Sequence, residues 1–234
     1  MGVALNSRDE KLLYLNKYFN NPEILTLDEL NTDEKSNLAD AWVEIISAKE
    51  VNRPKVALSY WVEFKDELDQ TVKYLEKNLS SIDLIRYNSQ LSLMYGVISD
   101  DGSEIIYHEG RNPKSKSLDN NLRDLWELLP ASLQKFYELH NGWFHMASES
   151  MGLSPCENVS LLADDEWGIL DEIGEQPIDM ERTLSLFSNG MGDYVCIELA
   201  GEKPNCLIWD AKGPAKFGLD FWPVVDSWTV MGFE

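Results

Sequence analysis

The sequence predicts an α+β fold: an antiparallel sheet flanked by helices, preceded by a helical N-terminal part with a small β-meander. Segments of helical periodicity open the chain and recur near its middle and its end. Short strand-like segments cluster in two places, joined by Gly-containing turns of the hairpin kind.

Taken in order, "TLDE" at residues 26–29 has capping-box spacing, which marks a helix start. Leu38, Ala41, Trp42, Ile45 and Ile46 recur at i, i+3, i+4, i+7 and i+8, one helical face that Pro54 is expected to close. Ala57, Tyr60, Trp61, Phe64, Leu68, Val72 and Leu75 mark a second amphipathic helix ending near "NLSS". The pattern then changes to "IDLIRY", "QLSLMYGVIS" and "SEIIYHEG", joined by "NS" and by Asp101-Gly102, a tight-hairpin pair. These predict an antiparallel meander packed on the helices.

A short basic, polar stretch predicts a boundary, giving residues 1–110 as the first part, 111–118 as a linker and 119–234 as the second part. The second part opens with "LDNNLRDLWELLP" and "ASLQKFYELHNGW", helical by the spacing of Leu133, Phe136, Tyr137 and His140. Pro130 suits the start of that helix, and Asn141-Gly142 its end, where a left-handed residue is needed. "VSLL", "RTLSLFS", "DYVCIEL" and "NCLIWD" read as strands. "FWPVVDSWTVMGF" places Phe221, Val224, Val225 and Trp228 on one face of a last helix.

The bulk numbers bound the function. A chain of 234 residues with 44% hydrophobic content and eight Trp, nine Tyr and eight Phe is expected to fold rather than stay disordered. No apolar run reaches the length of a membrane span, and "MGVALNSRDEKLL" lacks the layout of a secretory signal. Cys156, Cys196 and Cys206 form no CxxC pair, so free thiols in a reducing cytoplasm are expected. Net charge is −21; residues 119–234 carry 21 acidic against 6 basic side chains, and residues 1–118 carry 20 against 14. Such a field repels nucleic acid and anionic membranes and speeds encounter with a basic protein. Acidity also serves solubility alone, and composition leaves that alternative open.

Chemistry-bearing patterns are sparse. His140 and His145 are five apart, with Asn141-Gly142 between them, not the i, i+4 spacing of a helical zinc pair. "NGMGDYVCIEL" puts Val, Cys and Ile where calcium ligands belong, and it has no phosphate-binding lysine. No G-x-S-x-G elbow occurs. Asp164, Asp165 and Glu166 resemble paired catalytic carboxylates, but they run on into Asp171, Glu172 and Glu175, the composition of a solvated face. The expectation is no enzyme, no catalytic residue, no cofactor and no metal. A hydrolase using the acidic run with a divalent cation is the alternative. The remaining reading of Asn189, Gly190, Gly192 and Asp193 is structural: the glycines permit positive φ, Asp193 bonds the turn's own amides, and Val195, Ile197 and Leu199 alternate with a partly exposed Tyr194, Cys196 and Glu198.

In this order, Leu129-Pro130, Phe136-Tyr137, Asn141-Gly142, residues 189–194, Trp209-Asp210 and residues 221–228 resemble the SUKH superfamily over roughly residues 119–234. That superfamily includes a fungal cell-wall-assembly regulator and many bacterial immunity proteins. Its members usually carry a second Gly after the helix-ending Asn-Gly; Trp143 stands there instead. The resemblance implies binding rather than catalysis: a cytoplasmic antidote that occludes the active face of a cognate toxin, of the basic nuclease type. A regulatory or scaffolding module is the alternative from the fungal branch. Aromatic side chains ringed by charge are favoured at interface cores, which singles out Trp143, Phe144 and Trp167 beside Asp164, Asp165, Glu166, Asp171 and Glu172 as partner-face candidates. Asn141 and Gly142 join the structural-turn set. Oligomeric state is left open.

Overall fold

A computed structural model describes residues 7–174 and 176–233. The N-terminal segment read against a signal peptide falls partly outside these residues, as does Glu175 of the acidic run. The first part runs α1 (Arg8–Leu15), β1 (Glu23–Leu25), α2 (Thr32–Ser36), α3 (Asp40–Ser47), α4 (Arg53–Trp61) and α5 (Asp69–Asn78), then β2 (Leu79–Tyr87), β3 (Gln90–Ile98) and β4 (Ile105–Arg111). The second runs α6 (Arg123–Trp126), α7 (Ala131–Leu139), β5 (Trp143–His145), β6 (Ser150–Leu153), β7 (Ser160–Leu161), α8 (Leu170–Ile173), β8 (Thr183–Ser188), β9 (Tyr194–Glu198), β10 (Asn205–Trp209), β11 (Lys216–Leu219) and α9 (Phe221–Met231). No described helix is long and apolar enough to cross a membrane.

The strands form one antiparallel sheet in the order β1-β2-β3-β4-β5-β6-β8-β9-β10-β11, with β7 beside β8 off that path. The fold class is therefore α+β, with an antiparallel sheet flanked by helices. The β2–β3 turn places Asn88 and Ser89 at φ +48° and +62°, the two left-handed residues a tight hairpin requires. At the next turn Asp101 accepts hydrogen bonds from Ser99 Oγ and Ser103 N, and Gly102 takes φ +68°.

Two helix expectations are corrected. Pro54 opens α4 rather than closing α3, because a missing N–H costs nothing in a first turn. The second amphipathic segment is two helices, with Leu68 out of helical geometry at φ −125° and ψ 46°. Residues 69–78 restart as α5 because Asp226 of α9 accepts hydrogen bonds from Gln70 N and Thr71 N at 2.9 and 2.8 Å. A carboxylate from the other end of the chain thus caps the helix that no local side chain caps.

Alternation along the strands gives the sheet two buried faces. One packs α3, α4, α5, α7 and α9 around Trp42, Trp61, Phe136, Leu93, Tyr95, Leu186 and Val195. The other is covered at one end by α1, over Ile85, Tyr87, Met94 and Tyr107, and at the other by residues 162–174 and 176–180, over Cys196, Leu207 and Trp209. On the face of β9 expected to be partly exposed, Tyr194 and Glu198 are partly exposed, but the second cover buries Cys196 as fully as Val195. All three cysteines are free and buried.

The boundary expected at residues 111–118 is no break in the core. Strand β4 pairs with β5, and the main core draws on residues from both sides of it. Arg111, Asn112 and Pro113 are themselves buried. Here the fold keeps a pair of buried charges. The Glu109 carboxylate, 1% exposed, accepts from Tyr87 Oη, from Ser92 Oγ at 2.6 Å and from Arg111 Nε at 3.3 Å. Arg111 also donates to Glu157 at 2.8 Å and lies over the Phe144 ring.

The main core holds two neutral imidazoles. His108 stacks on Trp143 at 4.4 Å, and its ring nitrogens have no hydrogen-bond partner among the described residues. His140 shares a hydrogen bond with Tyr95 Oη through Nε2. Burial lowers His140 to about 3 and takes His108 well below its ordinary value. Unfolded histidines titrate near 6.5, so below that pH the unfolded chain binds protons that the folded chain refuses. This stability is complete above about pH 6.5 and is lost as pH falls. Urea unfolding between pH 6.5 and 4.5 is expected to show a slope of up to about 1.4 kcal/mol per pH unit for each such imidazole, reduced by about that amount in His108→Phe. A flat profile across this window would contradict the assignment.

Candidate partner-binding face

The described part of the acidic run sits on a lobe formed by residues 162–174 and 176–180. Strand β7 pairs with β8 through Ser160↔Ser185 and Leu161↔Leu184, and the chain then leaves the sheet in a turn. Asp164 accepts a hydrogen bond from Leu161 N at 3.0 Å, which fixes that departure. Trp167 folds back: its Nε1 donates to Leu162 O at 2.7 Å, and its ring meets Trp209 at 5.2 Å and Tyr194 at 5.9 Å, both edge-on. Leu170, Ile178 and Met180 pack on the same patch. The far end is tied down where Asp179 N donates to Glu198 Oε1 at 2.9 Å.

An apolar underside therefore leaves the polar side outward. Asp164, Asp165, Glu166, Asp171 and Glu172 are all exposed. None of these five carboxylates forms an ion pair with a described residue. Asp179 and Glu181 are exposed beside them. Sequence reading passed over these two because a proline-containing segment separates them from the run. Trp167 is half-buried and anchors the lobe, with part of its surface left to solvent. No cluster of three or more His, Cys, Asp or Glu able to hold a metal ion occurs among the described residues.

Trp143 and Phe144 do not belong to this face. They lie in β5 and are 2% and 1% exposed. Trp143 is wedged between His108 and Trp61, and Phe144 lies under the Arg111 guanidinium on the other side of the sheet. Their aromatic, charge-flanked composition matches an interface core, but pairing of β5 with both β4 and β6 makes them interior.

The turn residues are structural. Asn141 is buried; its Oδ1 accepts from Cys156 N at 2.9 Å, and its Nδ2 donates to Glu157 at 2.8 Å. Gly142, at φ +79°, lies so close to Pro155 that a Cβ would come within 2.5 Å of its nitrogen. Helix α7 ends one residue earlier than expected, at Leu139, and His140 is already extended. In the second turn the roles are reversed from the expectation. Asn189 Oδ1, rather than Asp193, accepts the turn amides of Met191 and Asp193, at 2.8 and 3.1 Å. The Asp193 carboxylate accepts from Asn189 Nδ2 at 2.9 Å. Gly190 and Gly192 take φ +76° and +99°.

Gly192→Val is expected to cost about 1–3 kcal/mol and to lower the melting temperature, because a β-branched residue resists that φ and its Cβ would lie 3.1 Å from Ala211. Trp167→Ala is expected to leave the global unfolding midpoint nearly unchanged while limited proteolysis cuts within residues 163–180 far faster than in the wild type. Unchanged cleavage would mean that the tryptophan does not hold the lobe.

No family model matches this chain, and no curated protein or solved structure matches it either.

Proposed function

We propose that the protein is a cytoplasmic immunity protein of SUKH type, which binds a basic toxin of the nuclease class and covers its active face. The observation that carries this reading is the acidic lobe: a rim of unpaired carboxylates held on a tryptophan-anchored base rather than on a mobile tail. Unpaired surface carboxylates crowded within one lobe repel one another, and a lysine- or arginine-rich partner relieves that repulsion on docking. The chain's net charge of −21 steers the same encounter from a distance. The order of motifs in residues 119–234 supports the family assignment. The mechanism is stoichiometric occlusion; no step of covalent chemistry is assigned to the protein.

A tagged copy, expressed in cells carrying its neighbouring genes, is expected to retain one basic polypeptide at low salt and lose it progressively as salt is raised. Replacing Asp165, Glu166, Asp171 and Glu172 by their amides is expected to slow association at least about tenfold at low salt with the melting temperature unchanged. Retention of no basic polypeptide at low salt would defeat the proposal.

A further inference from the structure

A second feature of the surface lies away from the acidic lobe, where the end of α1 meets the start of β4. An open cleft of about 310 Å³ is lined there by Tyr14, Tyr18, Tyr107, Glu104 and His145, among others. The three tyrosine rings follow one another as a bent wall. Tyr14 stands 4.6 Å from Tyr107, tilted by 49°, and 5.1 Å from Tyr18, tilted by 56°. Tyr107 is buried at the base of this wall, and Tyr18 is 46% exposed at its rim.

Glu104 supplies the charge. Its backbone is fixed on both sides by Ser99: Glu104 N donates to Ser99 Oγ at 3.1 Å, and Glu104 O accepts from Ser99 N at 3.0 Å. Its exposed carboxylate forms no ion pair with a described residue. No lysine or arginine is among the described residues lining the cleft. The Tyr14 phenol stays protonated, since burial and its neighbours raise its pKa. Burial keeps His145 toward its neutral form, with Nδ1 hydrogen-bonded to Ser148 Oγ. Among the described residues that line the cleft, Glu104 is the one carrying a carboxylate.

We infer that this cleft is a cation-binding site that takes the guanidinium of an arginine side chain from a protein partner, stacked on the tyrosine wall and paired with Glu104. Aromatic faces attract a cation through their quadrupole, and an unpaired carboxylate beside them adds a directional acceptor. Arginine suits the site better than lysine. Its guanidinium is planar, weakly hydrated and forked, so it stacks on a ring and meets a carboxylate at once. The identity of the partner rests on the function proposed above; the cation site does not.

The test therefore uses a small probe and the full chain. Backbone amide spectra are recorded while Nα-acetyl-arginine N-methylamide is titrated in, with the citrulline counterpart as the neutral isostere. The expected result is saturable shifts confined to residues 14, 18, 104–107 and 145, with a dissociation constant on the order of 1–10 mM. The citrulline compound is expected to bind at least about fivefold more weakly. Glu104→Gln and Tyr18→Ala, both at exposed positions, are expected to weaken the arginine probe by a similar factor while the melting temperature holds. Equal binding of the two probes, shifts elsewhere, or an unaffected Glu104→Gln variant would overturn the inference. No toxin takes part in this titration, so its failure is separate from failure of the pull-down.

Discussion

The Glu109–Arg111 pair, buried where β4 meets the second half of the chain, is the contact on which the rest of the structure depends. Its carboxylate has almost no water, and Tyr87, Ser92 and Arg111 replace the lost hydration. Arg111 in turn reaches Glu157, and Asn141 holds Glu157 from the other side while its own N–H donates to Arg111 O. Removing one partner from such a network leaves a bare charge in the interior, at about 3–5 kcal/mol. An apolar replacement of both partners need not be less stable, so the network's contribution is one of register. It leaves one position for β5 beside β4 and one for the chain at residues 155–157. The segment that follows carries the acidic lobe.

The two faces of the sheet do different work. The helical face is committed to packing, and its large aromatic residues close on each other around Trp61 and Trp143. Among the described residues the opposite face has no such layer. A single helix covers one end, and an irregular lobe covers the other. Thin covers bury only their undersides, so their outer surfaces are free to carry charge without disturbing the main core. That is why the acidic rim and the tyrosine cleft both involve covers or their margins rather than the helices of the main layer.

What could be read from the sequence was what local pattern decides. The alternation in residues 82–109 and 183–209, the positive-φ turns and the faces of α7 and α9 all follow from neighbouring residues. Long-range contacts decided the rest. Trp143 and Phe144 look like an exposed hot spot until β6 is known to return beside β5. The periodicity from Ala57 to Leu75 suits one helix, and only the distant Asp226 makes a second start favourable. Cys196 alternates as a half-exposed residue would, but a lobe encoded some 30 positions earlier covers it. The acidic run was legible as a solvated face. Its tryptophan-anchored base was not, because Trp209 and Tyr194 lie on strands that follow it in the chain.

The cap that Asp226 places on α5 links two points of the chain 155 residues apart. A ribosome adding about 5–20 residues per second takes roughly 8–30 s to cover that interval. During that time the Gln70 and Thr71 amides lack the carboxylate that caps them. Strands β2 to β11 are all made within that interval, so the sheet is laid down before the side chain that caps α5 exists. Helix α5 therefore takes its final cap only after α9 has been made, so the flank it closes is set by a residue that every strand of the sheet precedes.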